Sequence, residues 1–304
     1  QGYKHVYGVV SDPCAAGQVI RKTGVPGAPG DKGEEIDMGV PKERYSRITG
    51  KNEREICLLK GFPCRWGKCT FCDYIEDNGS DGQAMARLNR QVLGNVTGEL
   101  GALEVINSGS CFELPQETLD DIAGILREKH IGRLFLESHW MYRRRLDEMR
   151  DKMGVPLVFK IGVETFDRDF RERILNKHAD FESPGQVAEY FDSPCLMVGI
   201  KGQTREMIKK DIDYLKTYFK LGTVNVYNNN TTSIKRDEEL VRWFMDEYSE
   251  EKVHSWDPCD SEKYTDWRDV LQENFGRLFP GVVGAAVPAE PDTEAYYTHW
   301  EIQE

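Results

Sequence analysis

The chain has 304 residues, with 52 acidic against 40 basic side chains, a formal net charge of −12 and a pI near 5.2. That balance argues against a nucleic-acid partner, whose binding rests mainly on Lys and Arg neutralising phosphates. A mean hydropathy of −0.59 and the lack of any apolar run long enough to span a bilayer argue against a membrane partner, and the length can bury one large core or two small ones.

Residues 1–55 read as an irregular N-terminal segment with turn signals such as Asp12-Pro13. Gly24-Val25-Pro26-Gly27-Ala28-Pro29-Gly30 briefly imitates a collagen repeat, too short to hold a triple helix, so it reads as a loop. The chain opens on Gln1 rather than Met, which suggests a processed or trimmed N-terminus.

From Ile56 the rhythm changes to short apolar strands alternating with amphipathic helices, the mark of parallel α/β architecture. The first strand, 56–61, runs into Cys64-Arg65-Trp66-Gly67-Lys68-Cys69-Thr70-Phe71-Cys72. Three close thiols without an obvious fourth suit an iron–sulfur cluster with one open coordination site. Structural zinc, which wants four protein ligands, is the alternative, completed by Cys57, Cys111 or His139. Cys14, Cys57, Cys111, Cys195 and Cys259 are isolated and read as small packed hydrophobes. With 8 Cys, no signal-peptide pattern and long charged stretches, the thiols are expected to be reduced and the chain cytoplasmic.

Further strands are predicted near 103–108, 133–138, 158–164, 194–200 and 223–228. Helical patterns fall near 84–97, 115–129, 141–152, 168–176, 204–220 and 236–249. Pro115 with Glu117, and Thr204 with Glu206, are the expected helix starts. The fold class is therefore α/β, a partial (βα)6 TIM-like barrel over 56–249, with residues 250–304 a C-terminal extension packing on it.

Side chains alternate across a strand, so each strand can be sorted by parity. Leu134 and Leu136 oppose Phe135, Glu137 and His139; Phe159, Ile161 and Val163 oppose Lys160 and Glu164. Leu103 and Val105 oppose Glu104 and Ser108, and Val224 and Val226 oppose Thr223, Asn225 and Tyr227. Buried parallel strands are normally apolar on both faces. Charge repeated on one face predicts a solvated or ligand-filled cavity, unless those groups are spent in ion pairs such as Lys160–Glu164.

Three cysteines after the first strand of such a barrel resemble the radical S-adenosylmethionine superfamily over roughly residues 55–230. The usual spacing has three residues between the first two cysteines, and here there are four. The resemblance implies that Cys64, Cys69 and Cys72 hold a [4Fe–4S] cluster, with S-adenosylmethionine chelating the open iron and yielding a 5′-deoxyadenosyl radical on reduction. It implies cofactor contacts from Phe71 and Tyr74 beside the third thiol, and from the small-residue stretch Ser108-Gly109-Ser110. Glu164 would meet the ribose, with Val198, Gly199 and Tyr227 near the adenine. An external electron donor such as flavodoxin or ferredoxin would be a partner.

Among stand-alone members the overall likeness is to the queuine lyases, which implies release of queuine from queuosine 5′-phosphate, a small nucleotide substrate. Glu137, His139 and Lys160 are then the candidate catalytic residues. Glu104 or Glu137 would pair with a guanine-like edge or a cationic amine, and Asn225, Tyr227 and Asn229 with hydroxyls. Arg143, at the head of the run Arg143-Arg144-Arg145, would receive a phosphate, if that run is not a solvated helix face. His139, if it is not a packing residue, would be an acid or base; His254 and Asp257 are weaker candidates. A radical enzyme acting on tRNA and a zinc-stabilised, non-catalytic α/β binding protein are the alternatives.

Overall fold

The computed structural model describes residues 44–48, 53–227 and 229–248, together with the backbone of short strands near the C-terminus. The expectations for His254, Asp257, Cys14 and Cys259 lie outside these residues. Six parallel strands occupy neighbouring places in sequence order: β2 (Arg54–Leu59), β3 (Ala102–Asn107), β4 (Arg133–Glu137), β5 (Leu157–Glu164), β6 (Ser193–Val198) and β7 (Gly222–Val226). β1 (Tyr45–Ile48) pairs antiparallel with β2 and caps that edge. β8 (Ala285–Ala286) and β9 (Tyr296–Tyr297) form a separate ladder, and β10 (His299–Ile302) pairs antiparallel with β7.

The helices α1 (Gly82–Leu93), α2 (Gln116–Glu128), α3 (Leu146–Met153), α4 (Pro184–Ala188), α5 (Arg205–Tyr218) and α6 (Glu238–Glu247) connect or follow these strands. Parallel neighbours joined through helices are the βα winding of a partial TIM-like barrel. The helix starts are chemically marked. Asp81 accepts from the backbone N–H groups of Gln83 and Ala84, Thr204 from that of Met207, and Asp237 from that of Leu240.

Apart from Glu55 at the start of β2, one face of the sheet is largely apolar. Cys57, Leu103, Leu134, Phe159, Leu196 and Val224 pack there against Leu93, Ile122, Met149, Ile208 and Phe244 from the helices. The parity reading holds on every strand it addressed. β2, however, begins at Arg54 rather than Ile56, and that shift brings a guanidinium onto the opposite face.

Two helical expectations are corrected. Over 141–152, a 3-10 turn (Trp140–Arg145) precedes α3. Over 168–176, residues 168–174 are helical but widen into a π-helical turn at Phe170–Ile174, and Asn176 and His178 then take positive φ. Its cause is Arg171, fully buried, which donates to the carbonyls of Thr165, Ala179 and Phe181 and lies 3.6 Å over the Phe181 ring. Three inward hydrogen bonds and a ring contact outweigh one more regular turn. α4 and β1 had no expected counterpart. β1 and the start of β2 also place strand residues before Ile56.

Candidate active site

The polar face of the sheet and the loop after β2 enclose one cavity. It encloses about 1100 Å³ of empty space, its open mouth included. Cys64, Cys69, Cys72, Phe71 and Tyr74 line it from the loop, and Ser108, Gly109, Ser138 and His139 from just beyond the strand ends. Below them lie Arg54, Glu104, Glu137, Lys160, Glu164, Cys195 and Asn225 from the strands themselves. Sites at the C-terminal ends of barrel strands are the rule for this architecture.

The cysteine loop is held by hydrogen bonds and a ring contact to its neighbours. Trp66 stacks on His178 with ring centroids 4.1 Å apart and donates from Nε1 to the Asn176 carbonyl at 2.7 Å. Asn176 returns a bond from Nδ2 to the Lys68 carbonyl at 2.8 Å, and Thr70 Oγ1 donates to the Ile174 carbonyl at 2.6 Å. On the other flank, Glu113 accepts from the Arg65 backbone N–H at 2.8 Å, the Ser110 N–H at 2.7 Å and the Tyr142 hydroxyl at 3.1 Å. Gly109 passes between these parts. A Cβ there would lie 2.0 Å from Glu113 Oε2 and 3.3 Å from the Cys64 Cα, so only glycine fits.

The cavity floor is charged. Glu104, nearly inaccessible, accepts from Arg54 Nε and Lys160 Nζ, both at 2.6 Å. Burial alone would raise its pKa, but Lys160 and Arg54 outweigh it and hold the carboxyl down at about 2. A register shift in the β5–β6 ladder between Gly162 and Glu164 turns Glu164 inward at φ 66°, where it accepts from Lys177 Nζ at 2.6 Å. The charges are therefore paired, but not as Lys160–Glu164. Each takes a partner from another element, and the pairs line the cavity.

Glu137 differs from these. It lines the cavity without a hydrogen bond or ion pair among the described residues, and burial raises its pKa. His139 is committed: Nε2 meets the Lys177 carbonyl at 2.9 Å and Nδ1 accepts from the Met141 N–H at 3.2 Å. Burial lowers its pKa to about 4, so near neutral pH the ring is uncharged. Cys195, expected as plain packing, faces the cavity with Thr223 Oγ1 beside its sulfur and Asn225 Nδ2 at 3.5 Å; burial pushes its thiol up to about 12.

Several expected site residues lie elsewhere. The Ser110 hydroxyl is spent on Ser138 Oγ at 3.0 Å and on capping the Cys111–Glu113 turn. Val198 belongs to the helix-side core, and Gly199 serves a left-handed turn (φ 86°) where a Cβ would meet Val241 Cγ2 at 2.2 Å. Tyr227 is wholly buried, its hydroxyl shared among Asn230, Thr232 and the Ile234 carbonyl. Asn229 accepts from the Arg236 N–H. Arg143 lies over the Trp140 ring at 4.5 Å and donates to its carbonyl, away from the cavity.

The residues fit the cofactors that the sequence implied. Cys57 and Cys111 are buried in the helix-side core and both His139 nitrogens are engaged, so none completes a zinc set. That leaves three thiols around one opening, the donor set of a cluster with a free corner. Burial raises Cys69 and Cys72 to about 11 and about 12 as free thiols, so binding iron would release their protons. Ser108 Oγ, buried beside them, has no hydrogen-bond partner among the described residues, as expected of a hydroxyl awaiting a ligand.

A solved structure, queuine lyase from Clostridium spiroforme bound to SAM and queuine, is 52% identical over 70% of this chain and 93% of that one, with a TM-score of 0.69. The chain belongs to the queuine lyase family. It is thus a radical S-adenosylmethionine enzyme, with the partial barrel that the strand pattern predicted. A radical S-adenosylmethionine methyltransferase, TsrM, from Kitasatospora setae with tryptophan substrate and a SAM analog bound, is 9% identical over 56% of this chain and 35% of that one, with a TM-score of 0.37. No protein-family model and no curated protein matches the chain. Within the queuine lyase family frame, the residues that sequence reasoning missed are Arg54, Glu113 and Lys177. Each acts through a partner distant in sequence, and no local pattern marks it.

Proposed function

We propose that this chain cleaves queuosine 5′-phosphate to release queuine, with a [4Fe–4S] cluster and S-adenosylmethionine as cofactors. The observation that carries the reading is that three free thiols, a buried hydroxyl without a partner among the described residues and an unpaired carboxylate line one cavity. Cys64, Cys69 and Cys72 would hold the cluster, and Ser108 and Glu164 would meet the amino and ribose groups of S-adenosylmethionine. Bound together, these cofactors supply a 5′-deoxyadenosyl radical, whose organic chemistry is theirs rather than the protein's.

The protein binds, orients and shields. Phe71 and Tyr74 border the thiols on the cavity side, and Phe71 is almost fully buried. The Lys177–Glu164 pair fixes the carboxylate that would orient the ribose. Glu104 is neutralised on both sides by Arg54 and Lys160, so it is not the substrate's partner. Glu137 takes that role. Its half-buried, unpaired carboxylate has the chemistry to accept the secondary ammonium of queuine, since a partly desolvated charge gains from a charged hydrogen-bonding partner. Asn225, on the neighbouring wall, would hydrogen-bond the ligand's hydroxyls.

The test pairs the wild type with Glu137→Gln, both reconstituted anaerobically and supplied with S-adenosylmethionine and dithionite. The wild type releases queuine from queuosine 5′-phosphate. The variant still forms deoxyadenosine but needs at least about tenfold more substrate, the equivalent of one lost charged hydrogen bond. Equal KM values in the two would remove Glu137 from substrate binding.

A further inference from the structure

The sheet does not stop at its last parallel strand. β10 follows β7 in the strand order and pairs with it antiparallel, with His299 opposite Asn225, Trp300 opposite Val224, Glu301 opposite Thr223 and Ile302 opposite Gly222. Residues directly opposite one another in a ladder lie on the same face of the sheet, with Cβ atoms about 5 Å apart. Asn225 lines the cavity, whereas Val224 belongs to the helix-side core. His299 and Glu301 are therefore placed on the cavity face of the sheet, and Trp300 and Ile302 on the helix face.

The sequence of β10 agrees with that register. His299-Trp300-Glu301-Ile302 alternates polar and apolar, in phase with Thr223-Val224-Asn225-Val226 on β7. A slip by one residue would carry Trp300 and Ile302 onto the polar face, so the two alternations support one pairing. Level matters as well as face. Asn225 lines the cavity and Thr223 does not, so His299 stands at the height of the cavity and Glu301 one step below it.

The cavity has a use for such a group. Of the titratable side chains that line it, Glu104, Lys160, Glu164 and Lys177 are held in ion pairs, and both His139 nitrogens are engaged. A vicinal diol presents two hydroxyls, each a donor and an acceptor, and a hydroxyl desolvated without a partner weakens binding. A neutral imidazole carries one donor and one acceptor, and next to the Asn225 amide it completes a set for both hydroxyls. We propose that β10 brings His299 into the substrate site as a second hydroxyl-binding residue, which with Asn225 holds a vicinal diol of the nucleotide. The inference rests on the proposed function for its ligand, whose ribose and cyclopentene ring each carry such a diol. The role is one of binding and orientation, with no bond made or broken by the residue itself.

The experiment uses the full chain, reconstituted anaerobically and saturated with S-adenosylmethionine without reductant, as wild type, His299→Ala, His299→Gln and Glu301→Ala. Calorimetry measures affinity for queuosine 5′-phosphate, which carries both diols, and for queuine, which keeps only the cyclopentene diol. His299→Ala binds the nucleotide at least about fivefold more weakly, the equivalent of one lost hydrogen bond. His299→Gln, which keeps a donor and an acceptor, returns to within about twofold of the wild type. Glu301→Ala, on the same strand face but below the cavity, and S-adenosylmethionine affinity in all four proteins also stay within about twofold. Weaker binding of both ligands by His299→Ala assigns the cyclopentene diol, and weaker binding of the nucleotide alone assigns the ribose diol. Unchanged nucleotide affinity in His299→Ala would overturn the inference. An equal loss in Glu301→Ala, or no recovery in His299→Gln, would overturn it as well, since either would make strand pairing the cause. If the wild type binds the nucleotide but releases no queuine once dithionite is added, the proposed function fails while the affinities still judge His299. A wild type that binds neither ligand removes both.

Discussion

Replacing Glu104 with Gln tests the charged floor that supports the cavity. Arg54 and Lys160 are both buried and both donate to this carboxylate, so Glu104→Gln leaves two interior cations facing a neutral amide. Breaking a buried pair by removing one partner costs about 3–5 kcal/mol. Linkage gives a comparable figure. The folded carboxyl sits at about 2 against an ordinary value of 4.5, and at 1.36 kcal/mol per pH unit the difference is roughly 3 kcal/mol. Because the folded value is depressed, that stability is present above the unfolded value and is lost as pH falls from about 4.5 towards 2. Anaerobic urea unfolding followed by tryptophan fluorescence, at neutral pH and near pH 3, measures both. The variant is about 3 kcal/mol less stable than wild type at neutral pH, and the gap shrinks by more than half near pH 3, where the wild-type carboxyl begins to protonate. A gap under about 1 kcal/mol at neutral pH, or one that does not change with pH, would refute the triad as a buried electrostatic unit.

Three further substitutions separate binding roles from structural ones. Ser108→Ala removes a buried hydroxyl that has no hydrogen-bond partner among the described residues, so folding stability holds within about 0.5 kcal/mol. S-adenosylmethionine affinity falls about tenfold by calorimetry, and unchanged affinity would mean that this hydroxyl does not face the cofactor. Gly199→Ala sets a Cβ 2.2 Å from Val241 and strains a left-handed turn, so its melting temperature drops by at least about 5 °C; a drop under about 1 °C would show that α6 gives way freely. Arg143→Ala, at a residue that stacks on Trp140 outside the cavity, leaves the KM for queuosine 5′-phosphate within about twofold, and a tenfold rise would place the phosphate there after all.

The sheet was legible because periodicity is a property of single strands. The alternation of Phe159, Ile161 and Val163 with Lys160 and Glu164 needs no knowledge of neighbours, and three close thiols in one loop mark a cluster or metal site before any partner is known. Partner choice was not legible. Lys160 and Glu164 share a strand face, and only the order of strands sends the first to Glu104 and the second to Lys177. Arg54 was lost to a strand start placed two residues late. Ser110 and Tyr227 carry the right groups at the right strand ends, but a capping box and a loop consume their hydroxyls. The π form of the helix expected over 168–176 was not legible, because the pull on Arg171 is tertiary, exerted by carbonyls before and after it in the chain.

The central claim is that one cavity both initiates the radical and releases the base. It is tested most directly by following deoxyadenosine and free queuine together, by mass spectrometry, in the anaerobically reconstituted wild type given S-adenosylmethionine, dithionite and queuosine 5′-phosphate. The account predicts that both products rise in proportion from the start, and that Cys69→Ala, which lacks one of the three thiols, forms neither. Deoxyadenosine without queuine in the wild type, or queuine from Cys69→Ala, would contradict it.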